Sequence, residues 1–350
     1  MLEEIVMPKQ PKRAKTNNPS MHDVARLAGV SQTTVSFVVN NVPNANIPEE
    51  TRDRVLSAIN ELGYRPNAVA RSLRSQRSHT IGFLSDEVAT TPHAGKIIQG
   101  AQDAAWVSNK ILLVINTGRR AEIEAAAVEI LLERQVEGII YATMYHRPVT
   151  LPAALRHVST VLLDCYVEDR SLPSVVPDEV QGGRTATEAL LQKGHRRIGF
   201  INNVDPIPAT FGRLEGYKQA LAAYEVPFDT GLVCVGASSA ADGYRCTLEL
   251  MRLSEPPTAL FCFSDIMAMG AYDALRKLGR SIPHDVAVVG FDNQELIAAH
   301  LHPPLSTLEL PHYQMGQWAV QYLVEHTEHV SGEVPVQQTI TCSYIERSST

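Results

Sequence analysis

The chain has 350 residues, 44% of them hydrophobic, and a formal net charge of −7. A chain of this length and composition can bury a large core, which excludes a disordered or fibrous protein. No apolar run approaches the roughly 20 residues of a membrane span, and the N-terminus lacks the apolar core of a signal peptide. We therefore expect a cytoplasmic protein with no membrane partner.

The charge is unevenly distributed along the chain. Residues 1–80 carry 11 Lys and Arg against 7 Asp and Glu, whereas the other 270 residues carry 20 against 31. A basic first part on an acidic body indicates a polyanionic partner for the first part only. Residues 1–19 are expected to be a disordered basic tail, for which a merely solvated charged segment is the alternative.

Residues 20–40 predict two short helices with a tight turn between them. Ser20 and Asp23 form a capping-box pattern, and Gly29 permits the left-handed turn that ends the first helix. Ser31 is positioned to cap the second helix. The inward faces are predicted to hold Val24, Leu27 and Ala28 in the first helix and Val35 and Val38 in the second.

A third helix is predicted from about Glu49 to Leu62, with Val55, Leu56, Ile59 and Leu62 facing inward and Gly63 ending it. The second helix turns Gln32, Thr33 and Ser36 outward. This is the arrangement of a helix–turn–helix unit, whose second helix presents side chains to the DNA major groove.

Residues 20–40 resemble the DNA-binding module of the lactose-repressor (LacI/GalR) family. The resemblance continues through TRDRVLSAINELGYRPN (51–67) and ARSL (70–73), and further motifs extend it over nearly the whole chain. It implies a transcriptional repressor that binds double-stranded operator DNA as a homodimer. A small ligand would control the DNA affinity, as inducer or as corepressor.

The DNA-binding residues follow from this pattern. Gln32, Thr33 and Ser36 suit hydrogen bonds to base edges, and Ser31 and Thr34 suit helix capping or a phosphate contact. The full set expected to contact DNA is Ser31, Gln32, Thr33, Thr34, Ser36, Phe37, Asn40, Asn67, Ala70 and Leu73.

Phe37 departs from the family pattern, which usually has an arginine at this position. Phenylalanine offers only apolar contact, for instance to a thymine methyl group. Two interpretations are open: the protein reads an unusual operator, or Phe37 packs inward and another residue reads the base.

Residues 66–78 are predicted to be a linker that contains a short helix begun by Pro66. A helix this short is marginal alone. The resemblance implies that it folds only on operator DNA, beside its twin from a second subunit, and that Leu73 wedges into the minor groove. A flexible tether without base contacts is the alternative.

From residue 79 onward, apolar strands alternate with helices, which predicts an α/β fold with parallel sheets covered on both faces. The sequence contains an internal repeat: IGFL (81–84) is followed by Gly100, and the similar IGFI (198–201) is followed by Gly216. Two such units predict a periplasmic-binding-protein-like body of two lobes with a ligand cleft at the strand ends. The strands are predicted at 79–84, 111–116, 138–142, 160–164, 197–202, 231–235, 258–263 and 286–292.

The domain division follows from these patterns. A helix–turn–helix domain is predicted at 20–65, the linker at 66–78 and an effector-binding and dimerisation domain at 79–350. Its first lobe is predicted at about 79–179 and 310–338, and its second lobe at about 180–309 and 339–350. An apolar stripe in HYQMGQWAVQYLVE (312–325) packs in its own lobe, in the dimer interface, or in both.

Polar residues at strand ends mark the expected effector site. The resemblance places effector contacts at Asp164, Arg213, Ser264 and Asp292, and a serine at 264 departs from the family's more frequent asparagine. Carboxylates and a guanidinium suit neighbouring hydroxyls of a sugar or a nucleoside. Further candidates are Asp178, and Thr91 and His93 in the loop after the first strand.

Each of these residues also has a structural interpretation. Asp178 and Asp265 suit helix N-caps, and a lone loop histidine such as His93 is commonly solvated. The ligand is expected to be a sugar or sugar derivative, with a nucleoside or purine as the alternative.

Two alternatives to a DNA-binding regulator are a binding protein for carbohydrate import and an enzyme. A binding protein for carbohydrate import would need a signal peptide and no helix–turn–helix unit. An enzyme would need a catalytic set, yet the sequence has no GxSxG, no GK[ST] phosphate loop and no HExxH. The five cysteines and 12 histidines show no metal-ligand spacing, so reduced thiols and no metal or other cofactor are expected.

Overall fold

The computed structural model describes residues 19–42, 45–65, 77–91, 94–326 and 334–350. The chain divides into two compact units, Met1–Arg77 and Ser78–Thr350. The predicted tail and most of the predicted linker lie outside the described residues. Among the helices that are described, none is long and apolar enough to cross a lipid bilayer.

The described part of the first unit contains three helices in the predicted order, α1 (Met21–Ala28), α2 (Gln32–Val39) and α3 (Glu49–Leu62). The Ser20 hydroxyl accepts from the Asp23 N–H at 3.3 Å, and the Asp23 carboxylate accepts from the Ser20 N–H at 3.0 Å. This reciprocal capping box confirms the predicted start of α1. Gly29 ends α1 in the left-handed region (φ 65°), and the Ser31 hydroxyl caps α2 by accepting from the Thr34 N–H at 3.1 Å.

A small apolar core joins the three helices. It contains Val24, Ala25, Ala28, Val35, Val38, Val55, Ala58 and Tyr64. The prediction that Leu27 and Leu56 belong to this core is wrong, because they are 46% and 44% exposed. At 100° per residue, each lies roughly 100° away from the centre of the buried stripe of its helix.

The first lobe of the second unit contains a six-stranded sheet in the order β11-β5-β4-β3-β1-β2, in which every pairing is parallel. Its strands are β1 (Thr80–Ser85), β2 (Ile111–Asn116), β3 (Ile139–Pro148), β4 (Thr160–Tyr166), β5 (Ser174–Pro177) and β11 (Gln337–Ile340). Its helices are α4 (Gly95–Val107), α5 (Ala121–Glu133) and α11 (His312–Glu325).

The second lobe repeats this plan with the order β12-β10-β9-β8-β6-β7, in which β12 alone is antiparallel to its neighbour. Its strands are β6 (Ile198–Asn203), β7 (Val233–Gly236), β8 (Ala259–Cys262), β9 (Ala287–Asp292), β10 (Ser306–Glu309) and β12 (Ser343–Ile345). Its helices are α6 (Glu179–Gln192), α7 (Pro208–Ala223), α8 (Ala240–Leu250), α9 (Asp265–Lys277) and α10 (Glu295–Ala298).

The chain crosses between the two sheets three times: after β5, after β10 and after β11. The first and the third crossover are bonded to each other, since the Asp178 N–H donates to the Ile340 carbonyl and the Cys342 N–H donates to Gln181 Oε1, each at 2.8 Å. The predicted lobe boundary at 338/339 falls inside β11, so the last crossover lies after Ile340 instead. These bonded crossovers form the hinge of the second unit.

Helix packing explains why both copies of the internal repeat contain a glycine. A Cβ atom on Gly100 would lie 2.0 Å from the Tyr313 carbonyl oxygen, and one on Gly216 would lie 2.1 Å from that of Val180. Each glycine therefore lets two helices of its lobe approach backbone to backbone. In α11, the stripe residues Met315, Ala319 and Leu323 are buried within the first lobe.

Candidate functional site

A cavity of about 580 Å³ lies between the lobes, where the parallel strands of both sheets present their carboxyl ends. Its polar lining from the first lobe includes Glu87, Thr91, Arg119, Tyr145, His146 and Asp164. Its lining from the hinge and second lobe includes Glu179, Asn203, Asp205, Arg213, Phe263 and Asp292. Ligands bind in α/β sheets at such strand ends, so this is the predicted cleft.

Arg213 of α7 is the central cation of the cavity and is 3% exposed. Its Nε lies 2.7 Å from Glu179 Oε2, its Nη1 donates to the Phe263 carbonyl, and Nη1 lies 3.7 Å from Asp292 Oδ1. Its guanidinium lies 3.5 Å from the ring centre of Phe291. Burial opposes the charged form, but Glu179 and Asp292 outweigh it and raise the pKa of Arg213.

Asp292 ends β9 with a backbone φ of 103°, in a region that non-glycine residues rarely adopt. Gln294 links it to a second buried carboxylate. The Gln294 side chain donates to Asp292 Oδ2 at 3.2 Å, and its backbone N–H donates to Asp265 Oδ2 at 2.7 Å. Burial raises the pKa of Asp292 to about 6, although the Arg213 charge opposes this shift.

The opposite wall, in the first lobe, carries two buried polar atoms without partners. Within the described part of the chain, neither Asp164 Oδ1 nor His146 Nδ1 has a hydrogen-bond partner. Burial, reinforced by the charges of Glu179 and Asp86, raises the pKa of Asp164 well above its usual value. Unsatisfied buried polar atoms cost free energy, and a polar ligand would satisfy them.

Charged residues of the first lobe, in the cavity lining and next to it, form ion pairs. Arg119 Nη2 lies 3.0 Å from Glu87 Oε2, and the Arg119 guanidinium stacks 5.0 Å from the ring centre of Tyr145. Asp86 is 7% exposed and is 3.1 Å from Arg147 Nη2. Both cavity-lining guanidiniums, Arg119 and Arg213, therefore already have carboxylate partners.

The structure brings four of the predicted effector residues together at this cavity: Thr91, Asp164, Arg213 and Asp292. The Ser264 side chain caps α9 by accepting from the Met267 N–H at 3.3 Å, and Ser238, 3.1 Å from it, lines the cavity in its place. Asp178 caps α6 by accepting from the Gln181 N–H at 2.9 Å. His93 lies outside the described residues.

The suggestion that Asp265 is a helix N-cap is wrong, because Ser264 occupies that position. Asp265 is instead fully buried and accepts from the Thr307 hydroxyl at 2.6 Å.

Several lining residues were not predicted. Tyr145 and His146 were missed because β3 runs to Pro148, beyond the predicted end at Ala142. Asn203 ends β6, so the strand-end rule that identified Asp164 would also have found it. No sequence pattern identifies Glu179, because its role depends on an ion pair with Arg213, which lies on another helix.

In the first unit, α2 exposes Gln32 and Thr33 and half-buries Thr34 and Ser36. Phe37 is 37% exposed, so part of its ring faces solvent rather than the core. The Asn40 side chain donates to the Ser36 carbonyl at 2.6 Å. Asn67, Ala70 and Leu73 lie outside the described residues.

A helix–turn–helix unit followed by a two-lobed unit with a polar cleft defines the class of ligand-responsive DNA-binding regulators. Residues 20–67 match the model of bacterial regulatory proteins of the lacI family, and residues 187–350 match a periplasmic binding protein-like domain. HTH-type transcriptional regulator RegA of Clostridium saccharobutylicum is 35% identical over 333 residues, which are 95% of this chain and 99% of the relative.

Two solved structures extend the comparison. A complex of the transcriptional regulator CelR with cellobiose is 30% identical, covers 95% of this chain and 100% of its own, and has a TM-score of 0.66. The lac repressor dimer bound to operator and the anti-inducer ONPF is 27% identical, covers 95% and 99%, and has a TM-score of 0.77. The chain belongs to the lacI family of bacterial regulatory proteins. It is a DNA-binding transcriptional regulator and not an enzyme.

Proposed function

We propose that this regulator is a cytoplasmic, homodimeric repressor whose operator affinity is controlled by a sugar or sugar derivative in the inter-lobe cavity. The observation that carries the proposal is the pair of unsatisfied buried atoms, Asp164 Oδ1 and His146 Nδ1, opposite Arg213 and Asp292. A ligand with several hydroxyl groups can satisfy both walls at once. The relatives named CelR, in complex with cellobiose, and lac repressor support a carbohydrate.

The charge of the cavity favours an uncharged ligand over a phosphorylated one. Arg119 is paired with Glu87, and Arg213 with Glu179, so neither guanidinium is free to bind a phosphate group. Asp205 adds a further acidic side chain to the lining. A phosphate at Arg213 would compete with Glu179 for a buried guanidinium, and a phosphate at Arg119 would compete with Glu87 in a half-exposed ion pair.

Two aromatic rings of the cavity each have one face covered by a guanidinium. A flat base would need an open ring face on which to stack. The Arg213 guanidinium lies 4.3 Å from the ring centre of Phe263, and Arg119 covers Tyr145 at 5.0 Å. A nucleoside or purine effector is the alternative that the experiment below distinguishes.

Binding acts on DNA affinity through the relative position of the lobes. Arg213 and Asp292 belong to one lobe and Asp164 to the other, so a ligand that contacts all three prefers one lobe arrangement. Its preference between arrangements limits the change in operator affinity that it can cause. Either sign of this coupling, induction or corepression, uses the same residues.

On the DNA side, we propose that Gln32, Thr33, Ser36 and Phe37 of α2 contact base edges. We propose that Ser31 and Thr34 contact phosphates and that Asn40 also contacts the DNA. The linker residues Asn67, Ala70 and Leu73 are proposed to contact the minor groove. These roles rest on the exposure of α2 and on the family resemblance.

The homodimer is supported by apolar surface on the first lobe. β2 is an edge strand of its sheet, and its first residue, Ile111, is 55% exposed, while Trp106 near the end of α4 is 73% exposed. Exposed apolar side chains along a sheet edge are typical of a surface that a partner covers.

A ligand screen tests the effector proposal. The purified protein is heated with sugars, their phosphates, polyols and nucleosides, and each compound that raises the melting temperature is titrated against wild type and Asp164→Asn. We expect a free sugar to stabilise wild type and to lose at least tenfold in affinity in the variant. Stabilisation by a nucleoside or a sugar phosphate alone would contradict the proposal.

A further inference from the structure

Glu137, which lies two residues before β3, joins three separate segments of the first lobe through one carboxylate. Its Oε1 accepts from the backbone N–H of His79 at 2.7 Å, and its Oε2 forms an ion pair with Lys110. His79 immediately precedes β1 and Lys110 immediately precedes β2. The junction lies at the amino ends of the strands, opposite the effector cavity.

This ion pair is almost fully buried. The Lys110 side chain is 7% exposed and that of Glu137 is 14% exposed. Burial raises the pKa of Glu137, but Lys110 and the His79 N–H outweigh it, so the pKa lies below its usual value. Glu137 is therefore a carboxylate at neutral pH, which makes its hydrogen bond to the His79 N–H a charge-assisted one.

The residue that Glu137 holds has an unusual backbone. His79 has a φ of 52°, in the left-handed region that non-glycine residues rarely adopt. Two hydrogen bonds keep it there: its N–H donates to Glu137, and its carbonyl accepts from the Ile111 N–H at 3.0 Å. The contacts around His79 thus fix the direction of the backbone at the first residues of the second unit.

Stability alone is a weak explanation for this arrangement. A buried ion pair often contributes no more than an apolar pair of the same size, because desolvation cancels the attraction. The hydrogen bond to His79 has a separate consequence, since the chain from the helix–turn–helix unit enters the second unit at Ser78 and His79.

We propose that Glu137 is a positioning residue for operator binding, because its bond to the His79 N–H fixes the direction in which the linker leaves the first lobe. A linker with a fixed start samples fewer orientations. A larger fraction of molecules can then place the helix–turn–helix units on an operator, and the apparent affinity rises with that fraction. The proposal rests on the DNA-binding function and is independent of the effector's identity.

Two matched double variants separate the hydrogen bond from the ion pair. Lys110→Met with Glu137→Gln removes both charges but keeps a side-chain oxygen that can accept from the His79 N–H. Lys110→Met with Glu137→Met also removes both charges and keeps a similar volume, but has no acceptor. Both are measured as full-length protein against a DNA duplex that wild type has selected from a random pool.

We expect the Gln variant to bind this duplex within about threefold of wild type and the Met variant to bind it roughly tenfold more weakly. Binding is measured at a temperature at which both variants are fully folded, and their dimerisation should be equal. Hydrogen–deuterium exchange of a peptide spanning residues 78–82 should be faster in the Met variant alone. A purely structural role would instead change both variants equally. Equal DNA affinity of the two variants, or an unprotected His79 amide in wild type, would overturn the proposal. Failure of wild type to select any duplex would refute the DNA-binding function instead.

Discussion

Arg213 and Glu179 form an ion pair in which the two side chains are 4% and 7% exposed, with Nε 2.7 Å from Oε2. Glu179 is the first residue of α6, directly after a crossover between the lobes. The guanidinium that lines the inter-lobe cavity, and that we propose contacts the effector, is thus held by a residue of the hinge. This relationship makes the stability of the unit and the ligand response depend on the same pair.

Removing Arg213 should separate these two roles. Arg213→Met leaves Glu179 as an unpaired buried carboxylate, so we expect a loss of about 3–5 kcal/mol in the free energy of unfolding. Adding Glu179→Gln to that variant removes the unpaired charge and should restore most of the loss, but not effector binding. Urea unfolding and ligand titration of both variants provide the measurements. If the double variant is no more stable than the single one, the ion pair is not the cause.

A pH dependence follows from Asp292, whose pKa burial raises to about 6. The folded protein therefore binds this proton more tightly than the unfolded chain, in which an aspartate has a pKa of about 3.9. Its contribution to stability is complete below about pH 4 and is lost as the pH rises through about 6. We expect the stability of Asp292→Asn to change less between pH 4 and 6 than that of wild type, by up to about 1.4 kcal/mol per pH unit.

Other carboxyl groups also titrate in this range, so the comparison of the two proteins carries the argument. Burial also raises the pKa of Asp164, which is present in wild type and in the variant. The pKa of Asp265 is raised by burial and by the Asp292 charge, so the difference between the two proteins includes the loss of that charge. Urea unfolding at several pH values gives the two slopes. Identical slopes would show that Asp292 keeps an ordinary pKa.

Much of the fold could be predicted because local signals agree with the tertiary structure. The α3 helix matches its predicted bounds, and β2 does too, because caps, periodicity and apolar runs coincide there. Leu27 and Leu56 were wrongly predicted to be buried. Both lie at the margin of an amphipathic stripe, where the spacing of apolar residues is the same whether the fold buries or exposes the side chain.

The cavity was less accessible to sequence reasoning. Asp164, Arg213 and Asp292 follow from strand ends and from family resemblance, and the structure places all three at the cavity. Glu179 and His146 become visible only when separate elements meet. Ser264 is the opposite case. It is a polar residue near a strand end, but its side chain caps the next helix instead of lining the cavity.

Gly100 tests the close packing of α4 against α11. A Cβ atom there would lie 2.0 Å from the Tyr313 carbonyl oxygen, so Gly100→Ala must push the helices apart. We expect a loss of about 2–3 kcal/mol or more in the free energy of unfolding. Gly95→Ala in the same helix is the control, because a Cβ there meets no atom within 4 Å and stability should be unchanged or slightly higher. Equal stabilities would contradict the packing argument.

Phe37 offers a test of how the operator is read. Its ring is 37% exposed on α2, where it can contact a thymine methyl group but can form no hydrogen bond to a base. Phe37→Arg adds a donor pair that suits guanine, so we expect duplexes selected by the variant to gain a G·C pair at one position of each half-site. That pair should be favoured by about 1–3 kcal/mol over the wild-type base. Selection from random duplexes with both proteins measures this, and Leu56→Arg, on an exposed position of α3, controls for added charge. If Phe37→Arg and wild type select the same sequence, the residue does not face the bases, and its ring serves the packing of the first unit.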